Sequence, residues 1–381
     1  MGYLDIQNRE KVDEIIQTTL SQYYKTTVCV SNKYRKGCFI LNPKLSISIH
    51  DSATRRIKKL VQKRFAIHGS FLKSIAMKLF IMFGFSRMGF WGCKYLEFER
   101  LPSNPESLLI MPGNMKIKVF DYHSNSVFNI LKDGFSDVSI GIEREIRTGK
   151  DLKPYILPMK VIDDNNYSEE LLSGCSIDRL DRRVFPNVEE EVKIIIRDIQ
   201  LHNREMRDGE AYFQYLIDEI QNRLKRINCD DYLKESIIGF AERLHPFVGK
   251  AVIVSDSHGD LQNGNVFIAN NNRIYIIDWE TFGKRSIGYD LLTYYYKFRY
   301  RTNYLQRIEF FLKDENWKLV SESFGLDGID KTKVLAVYFL EDLIWVINEC
   351  ECTPEKKESG SLEKYAEKNF QDSIIARLIE K

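Results

Sequence analysis

The chain has 381 residues, 44% of them hydrophobic, with 56 Lys and Arg set against 54 Asp and Glu for a formal net charge of +2. That composition excludes a disordered tail-like chain and favours no partner class by bulk charge, and the length accommodates two lobes or two to three domains. The seven Cys, at 29, 38, 93, 175, 229, 350 and 352, are odd in number and form no C-x-x-C pair, which argues against a four-ligand zinc site and for free thiols in a reducing cytoplasm. The segment Met1–Gln17 is charged and carries no apolar signal core. The longest strongly apolar stretch, Leu79–Phe85, falls far short of the ~20 residues that span a bilayer.

In chain order, Val12, Ile15, Ile16, Leu20 and Tyr23 recur at steps of three and four, predicting a helix over Lys11–Tyr24. Strands are expected at Thr27–Val30 and Cys38–Leu41. Residues 52–96 are free of acids between Ser52 and Tyr95, and interleave Arg55, Arg56, Lys58, Lys59, Lys63, Arg64, Lys73 and Lys78 with apolar and aromatic side chains. Such a basic amphipathic stretch suits an anionic membrane surface; its plainer reading is a helix packed on the body with its cations solvated. Nothing in it resembles a nucleic-acid module. Further strands are expected at Tyr95–Phe98, Ser107–Met111, Lys116–Tyr122 and Ser126–Lys132, then a helix over Val138–Leu152. A strand pair, Tyr155–Val161 with Glu169–Leu172, follows around the turn Asp163–Asn166. Helices are expected over Val188–Leu201, Ala211–Ile227 and Tyr232–Leu244, across 305–348, and from Leu362 to Ile379.

The informative stretch runs from Val252 to Glu280. Val252–Val254 leads into His258-Gly259-Asp260. Val266–Ile268 and Ile274–Ile277 flank three consecutive Asn, a residue that tolerates positive φ and forms turns. A hairpin there places Asn265 before its first strand and Asp278 after its second, on the same side. Asp260, Asn265 and Asp278 can therefore converge. Two carboxylates and an amide oxygen suit a hard cation such as Mg²⁺.

In protein kinases an H-R-D loop is followed after four residues by a metal-holding Asn, and its Asp accepts the substrate hydroxyl proton. His258, Asp260 and Asn265 stand at that spacing with Gly259 in place of Arg. The form H-G-D-x-x-x-x-N, followed by Asp278-Trp279-Glu280, resembles the aminoglycoside phosphotransferase and choline kinase superfamily over roughly residues 108–350. The resemblance implies a two-lobed, protein-kinase-like α+β fold: a small antiparallel-sheet N-lobe at 95–174, a mainly helical C-lobe at 175–381, and an N-terminal extension at 1–94.

It further implies transfer of the ATP γ-phosphoryl group to a hydroxyl. Asp260 would be catalytic, and Asn265 and Asp278 would hold Mg²⁺. Lys132, in F-N-I-L-K, would grip the α/β-phosphates and pair with Glu145, with Glu143 as the alternative partner and Lys116 or Lys118 as weaker candidates for the Lys. The adenine edge would lie near Leu171–Cys175, the hinge, with Cys175 at its end. His258 would fix the loop by hydrogen bonds, and Asp290, in Gly288-Tyr289-Asp290-Leu291, would brace it. One departure stands out: Gly113 is the sole glycine available to the phosphate-covering loop, where kinases carry G-x-G-x-x-G.

The acceptor expected from the family is a small molecule, and the basic aromatic stretch favours a sugar or glycan precursor near a membrane. The protein is then expected in the cytoplasm, with peripheral contact to the inner membrane surface open. Two other classes compete: a non-catalytic nucleotide-binding scaffold, and a protein kinase. The complete trio speaks against the first. The absence of an A-P-E element after Asp278 speaks against the second. No H-E-x-x-H or G-x-S-x-G pattern supports a His-based metal site or a hydrolase triad.

Overall fold

The computed structural model describes residues 9–64, 92–149, 153–180, 185–227, 229–299, 303–315 and 329–352, with scattered positions at 75–85, 317–326 and 362–363. The basic stretch beyond Arg64 and nearly all of the helix expected at Leu362–Ile379 lie outside them. The chain divides into two compact units, one of Met1–Cys175 with Arg179–Asp181 and Phe267–Tyr275, the other of Ser176–Asp178, Arg182–Val266 and Ile276–Lys381.

The first unit is built on one nine-stranded antiparallel sheet. Its strands are β1 (Val28–Ser31), β2 (Phe39–Asn42), β3 (Ile47–His50), β4 (Lys94–Phe98), β5 (Leu108–Pro112), β6 (Lys116–Asp121), β7 (Ser126–Leu131), β8 (Met159–Val161) and β9 (Asn166–Glu170). They lie in the order β1-β4-β2-β3-β5-β6-β7-β9-β8. Strands from before and after residue 94 thus share one sheet: Val28–Ser31 pairs with Tyr95–Phe98, and Ser48–Ile49 with Leu109–Ile110.

Two helices explain the burial of this sheet. Helix α1 (Arg9–Tyr24) lays Val12, Ile16 and Leu20 against Phe39, Leu41, Leu96, Ile110 and Val119. Helix α2 (Arg55–Arg64) lays Ile57 and Val61 against Ile40, Ile47, Ile49, Tyr95 and Leu109. Alternate residues of β2 feed opposite cores, so a strand covered on both faces reads as an unbroken apolar run, Phe39-Ile40-Leu41. On α2, Arg55, Arg56, Lys58 and Lys59 stay exposed, so the basic helix packs its apolar side and solvates its cations.

Four strands escaped the sequence reading: β10 (Gly174–Ser176), which falls on the expected hinge, and three polar ones. In β3, Ser48 and His50 are buried, and their polarity disguises an inner strand. The His50 ring has Ser52 Oγ at 2.7 Å from Nδ1 and the Gly37 carbonyl at 3.2 Å from Nε2. The polar β11 (Glu205–Asp208) and β15 (Gly283–Ser286) flank β12 (Ala251–Ser257), held by backbone pairing rather than an apolar face. The pair β8 and β9 is shifted from its expected place: Asn166, predicted as turn, joins β9, because β9 also pairs with β7 and Ile130 faces Asn166 there.

A short third sheet joins β10 (Gly174–Ser176) to the hairpin β13 (Val266–Ala269) and β14 (Ile274–Ile276). Gly174 is required: a Cβ there would lie 1.9 Å from the Ile268 carbonyl oxygen.

Helices dominate the second unit. With α3 (Val138–Arg147) in the first, the second holds α4 (Phe185–Leu201), α5 (Gly209–Leu224), α6 (Asp231–Arg243), α7 (His245–Val248), α8 (Tyr289–Tyr294), α9 (Tyr304–Lys313) and α10 (Lys331–Cys352). Asp208 and Asp230 cap α5 and α6 by accepting from Ala211 N and Leu233 N. The core helix α10 buries Leu335, Tyr338, Leu343 and Ile347. Its Glu341 accepts from Tyr212 Oη, Ser286 N and Ser286 Oγ, each at 2.6 Å, and so ties α5 and β15 to α10. Among the described residues, no helix is long and apolar enough to cross a membrane. The sheet-rich first unit and helical second unit are those of the kinase-like fold expected from the loop.

Candidate active site

Strand β12 delivers the loop. At its end His258 is fully buried, and Gly259 adopts φ 81. A Cβ on Gly259 would meet the Thr281 carbonyl oxygen at 2.4 Å, so the left-handed turn and the close approach both demand glycine. The Asp290 carboxylate accepts from His258 N at 2.7 Å and Gly259 N at 3.1 Å. It braces the loop, as expected for it.

His258 is pinned at both nitrogens. Nε2 lies 3.1 Å from the Ile277 carbonyl, and the Asp260 N–H lies 3.3 Å from Nδ1. A carbonyl can only accept and an amide N–H can only donate, so these partners select the neutral Nε2–H tautomer. The ring also rests against Trp279, centroids 4.7 Å apart.

The Asp260 side chain is 23% exposed. Gln262 Nε2 donates to its Oδ1 at 2.6 Å, Asn265 Nδ2 donates to its Oδ2 at 3.3 Å and to its carbonyl at 2.8 Å, and Arg299 Nη1 lies 3.4 Å from Oδ1. Burial pushes the Asp260 carboxyl above the usual range; Arg299 and the Gln262 bond pull it back, and Asp278 adds to the rise.

The hairpin base joins the remaining members. Ile277 N donates to the Asn265 carbonyl at 2.9 Å, which sets Asp278 beside the loop. Asp278 sits at φ 69, ψ 56, a strained backbone for a residue with a side chain, and opens the short turn Trp279–Thr281. Since the Asn265 amide nitrogen faces Asp260, its Oδ1 is left as the acceptor end.

Arg299 was not foreseen. It lies on the turn after α8, 4% exposed at its side chain. Nη2 donates to the Gly259 carbonyl at 2.7 Å and to Tyr289 Oη at 2.6 Å, Nε lies 2.9 Å from Asp342 Oδ1, and the guanidinium stacks 3.4 Å from the Trp345 ring centroid. No local pattern marks it: thirty-nine residues separate it from Asp260.

In the first unit the structure pairs a different strand lysine from the one expected. Glu145 is exposed, and Lys132 and Glu145 are not brought together. The ion pair is Lys116 Nζ to Glu143 Oε1, at 3.3 Å and buried at both ends, with Tyr167 Oη 3.4 Å from the same ammonium. Helix geometry decides this. Glu143 and Arg147 are one turn apart on the inner face, and Glu145, two residues on, is turned by about 200°. Arg147 Nη1 reaches Glu143 at 2.5 Å, Nη2 pairs with Glu169, and Nε donates to the Leu157 carbonyl at 2.8 Å. Lys132 is buried past the end of β7, its Nζ 5.3 Å from the Phe135 ring centroid.

The turn that carries Gly113 is tight: Gly113 N donates to the Lys116 carbonyl at 2.8 Å. Cys175 is a half-buried free thiol on β10. Beside it, the Ser173 carbonyl accepts from Asn270 N at 2.8 Å.

The family model described as the phosphotransferase enzyme family matches residues 196–318. Among curated proteins none matches. Similar solved structures include choline kinase LicA from Streptococcus pneumoniae, with 16% identity, 74% of this chain and 91% of that chain covered, and a TM-score of 0.41. A Plasmodium vivax ethanolamine kinase has 12% identity, 85% and 96% coverage and a TM-score of 0.46. Aminoglycoside phosphotransferase APH(3'')-Id from Streptomyces rimosus has 13% identity, 62% and 92% coverage and a TM-score of 0.42. The family model thus falls on the stretch singled out by the loop motif: residues 196–318, which match it, carry Asp260, Asn265, Asp278 and Asp290.

Proposed function

We propose that the protein transfers the γ-phosphoryl group of ATP to a hydroxyl of a small molecule, a sugar or glycan precursor among the acceptors that fit. The observation that carries this reading is the Asp260 carboxylate, held from three directions by Gln262, Asn265 and Arg299 on a loop braced by Asp290. In the reaction the bond from the γ-phosphorus to the ADP oxygen breaks, a bond to the acceptor oxygen forms, and the hydroxyl proton passes to Asp260. Burial makes Asp260 a readier proton acceptor than an exposed carboxylate. Asn265 and Asp278 fit Mg²⁺, since both offer hard oxygen donors and the Asn265 amide nitrogen is engaged elsewhere. When bound, the metal would offset phosphate charge. For the phosphates the buried pair Lys116 and Glu143 is a better fit than Lys132 and Glu145, because it already has the strand-Lys to helix-Glu form. The backbone near Leu171–Cys175 is the proposed adenine edge.

The exposed cations of α2 support a peripheral contact with anionic membrane; retention by phosphatidylserine vesicles at low salt that is unchanged by Lys58→Glu and Lys59→Glu would remove that part. The central test is the thermal shift with ATP and Mg²⁺. A ligand that binds only the folded state raises the melting temperature. Wild type should shift and Asp278→Ala should not. A shift that ignores Mg²⁺ and Asp278 would sink the metal assignment, and ADP release over an acceptor panel would follow on the same samples.

A further inference from the structure

Two residues before Arg299, Lys297 presents a second cation to the same loop. Its Nζ donates to Asn263 Oδ1 at 2.6 Å and sits 4.1 Å from the centroid of the Tyr294 ring. Arg299 meanwhile bonds Gly259 and Asp260. The segment 297–299 is thus laid across the loop 259–263 and secured at both ends.

Lys297 is held there at a cost. Its backbone is left-handed, φ 58, in a residue with a long side chain. Its carbonyl accepts from Arg307 Nη1 at 2.6 Å, which secures that conformation. The side chain is half-buried, and among the described residues no carboxylate stands within ion-pair distance of Nζ. An ammonium carries three donors, and one is used by Asn263. Burial pulls its pKa down to about 8, Glu189 opposes that, and Arg307 adds to it. A partly desolvated cation with spare donors is costly unless an anion completes it. The neighbouring Lys193 lies over the Tyr295 ring at 5.1 Å, though its ammonium is already paired with Glu190 at 2.7 Å.

We propose that Lys297 anchors an anionic oxygen group at the catalytic loop, so that the preferred hydroxyl acceptor is an acidic small molecule bearing a phosphate or carboxylate. This rests on the phosphotransferase reading and narrows its acceptor class from sugars in general to acidic ones. The alternative occupant of the same ammonium is the phosphoryl group in transit, and the test separates the two.

The experiment uses the full chain with ATP and Mg²⁺ and measures ADP release for matched pairs: glycerol against glycerol 3-phosphate, glucose against glucose 1-phosphate, and glucose against glucuronate. The acidic member should have the higher kcat/KM. In Lys297→Met that preference should fall about ten- to a hundredfold, through KM, as expected for a lost charge-assisted hydrogen bond; Lys297→Arg should keep it. The pairs also tell phosphate from carboxylate. A wild-type preference for the neutral members, or an acid preference that survives Lys297→Met, overturns the proposal. A loss in kcat shared by acidic and neutral members and by ATP hydrolysis without acceptor assigns Lys297 to the transferred phosphoryl, and also overturns it. Thermal shifts with glycerol 3-phosphate and glucuronate, without nucleotide, are read in parallel. A shift lost in Lys297→Met but kept in Lys297→Arg, with no turnover on any acceptor, leaves the anion site standing and sinks the kinase reading. Neither shift nor turnover with the acidic probes sinks both.

Discussion

Each unit of this protein buries a cluster of charges, and the two are put together differently. In the first, Lys116 and Arg147 face Glu143 and Glu169, two cations against two carboxylates, drawn from β6, α3 and β9. In the second, one guanidinium, Arg299, stands between Asp260 and Asp342, while Asp278 raises the Asp260 pKa. Among the described ion pairs the first cluster sets two cations against two carboxylates, which offsets the cost of burying them. The second sets two carboxylates, from the loop and from α10, on one guanidinium, with Asp278 adding to the rise at Asp260. The contrast says that balanced buried charge builds a scaffold, and that an excess of one sign marks a place where chemistry or a counter-ion is expected.

The sharpest way to break this contrast is Asp260→Asn. It keeps the shape and one acceptor oxygen, so the bonds at Oδ1 can persist while that from Asn265 Nδ2 to Oδ2 is lost, and kcat should fall about 10²–10⁴-fold with the cooperative melt retained. Steady-state ADP release and a thermal melt check it; a variant with normal turnover would return Asp260 to a structural role. Next, Arg147→Met should remove about 3–5 kcal/mol, since it takes the guanidinium from buried Glu143, which keeps the Lys116 pair, and from half-buried Glu169. The urea midpoint reads this, and a change below ~1 kcal/mol would deny the first cluster its scaffold role.

Lys116→Met against Lys132→Met sharpens the choice of lysine. Lys116→Met should lower kcat/KM for ATP by a factor of about ten or more beyond any effect of Lys132→Met. The reverse order would restore Lys132 as the phosphate lysine. The smallest effect is expected at Glu145. Exposed on the outer face of α3, it should tolerate Glu145→Gln within about 0.5 kcal/mol, with ATP kinetics unmoved. A large kinetic loss there would reinstate the pairing that the fold sets aside.

These outcomes divide along what was legible in the chain. The loop His258–Asn265, the three-Asn turn and Asp278 are close in sequence, so spacing and turn chemistry were enough to bring them together. The bonds from Asn265 to Asp260, and from Ile277 to Asn265, follow from that local path. The stripes of α1, α4, α5 and α6 were equally readable, because a 3.6-residue period is a property of the chain itself. Gly259 was legible only as the variant letter of the motif; its need for glycine comes from a left-handed turn against the Thr281 carbonyl, which the fold sets there.

Tertiary structure decided the rest. The family resemblance offered two glutamates on α3 and three lysines, two on β6 and one just past β7, and only the packing of α3 beside β9 selected Glu143 with Lys116. Strand β3 was hidden because its Ser and His look solvent-facing until helices cover both faces of the sheet. Arg299 and Lys297 sit in an aromatic stretch with no motif of its own. Their roles come from the turn after α8, which lays them over a loop more than thirty residues upstream. Spacing along the chain can announce groups that meet through one hairpin. It carries no information about which distant charge will be buried beside them, since that is settled by the register and the burial that the whole fold imposes.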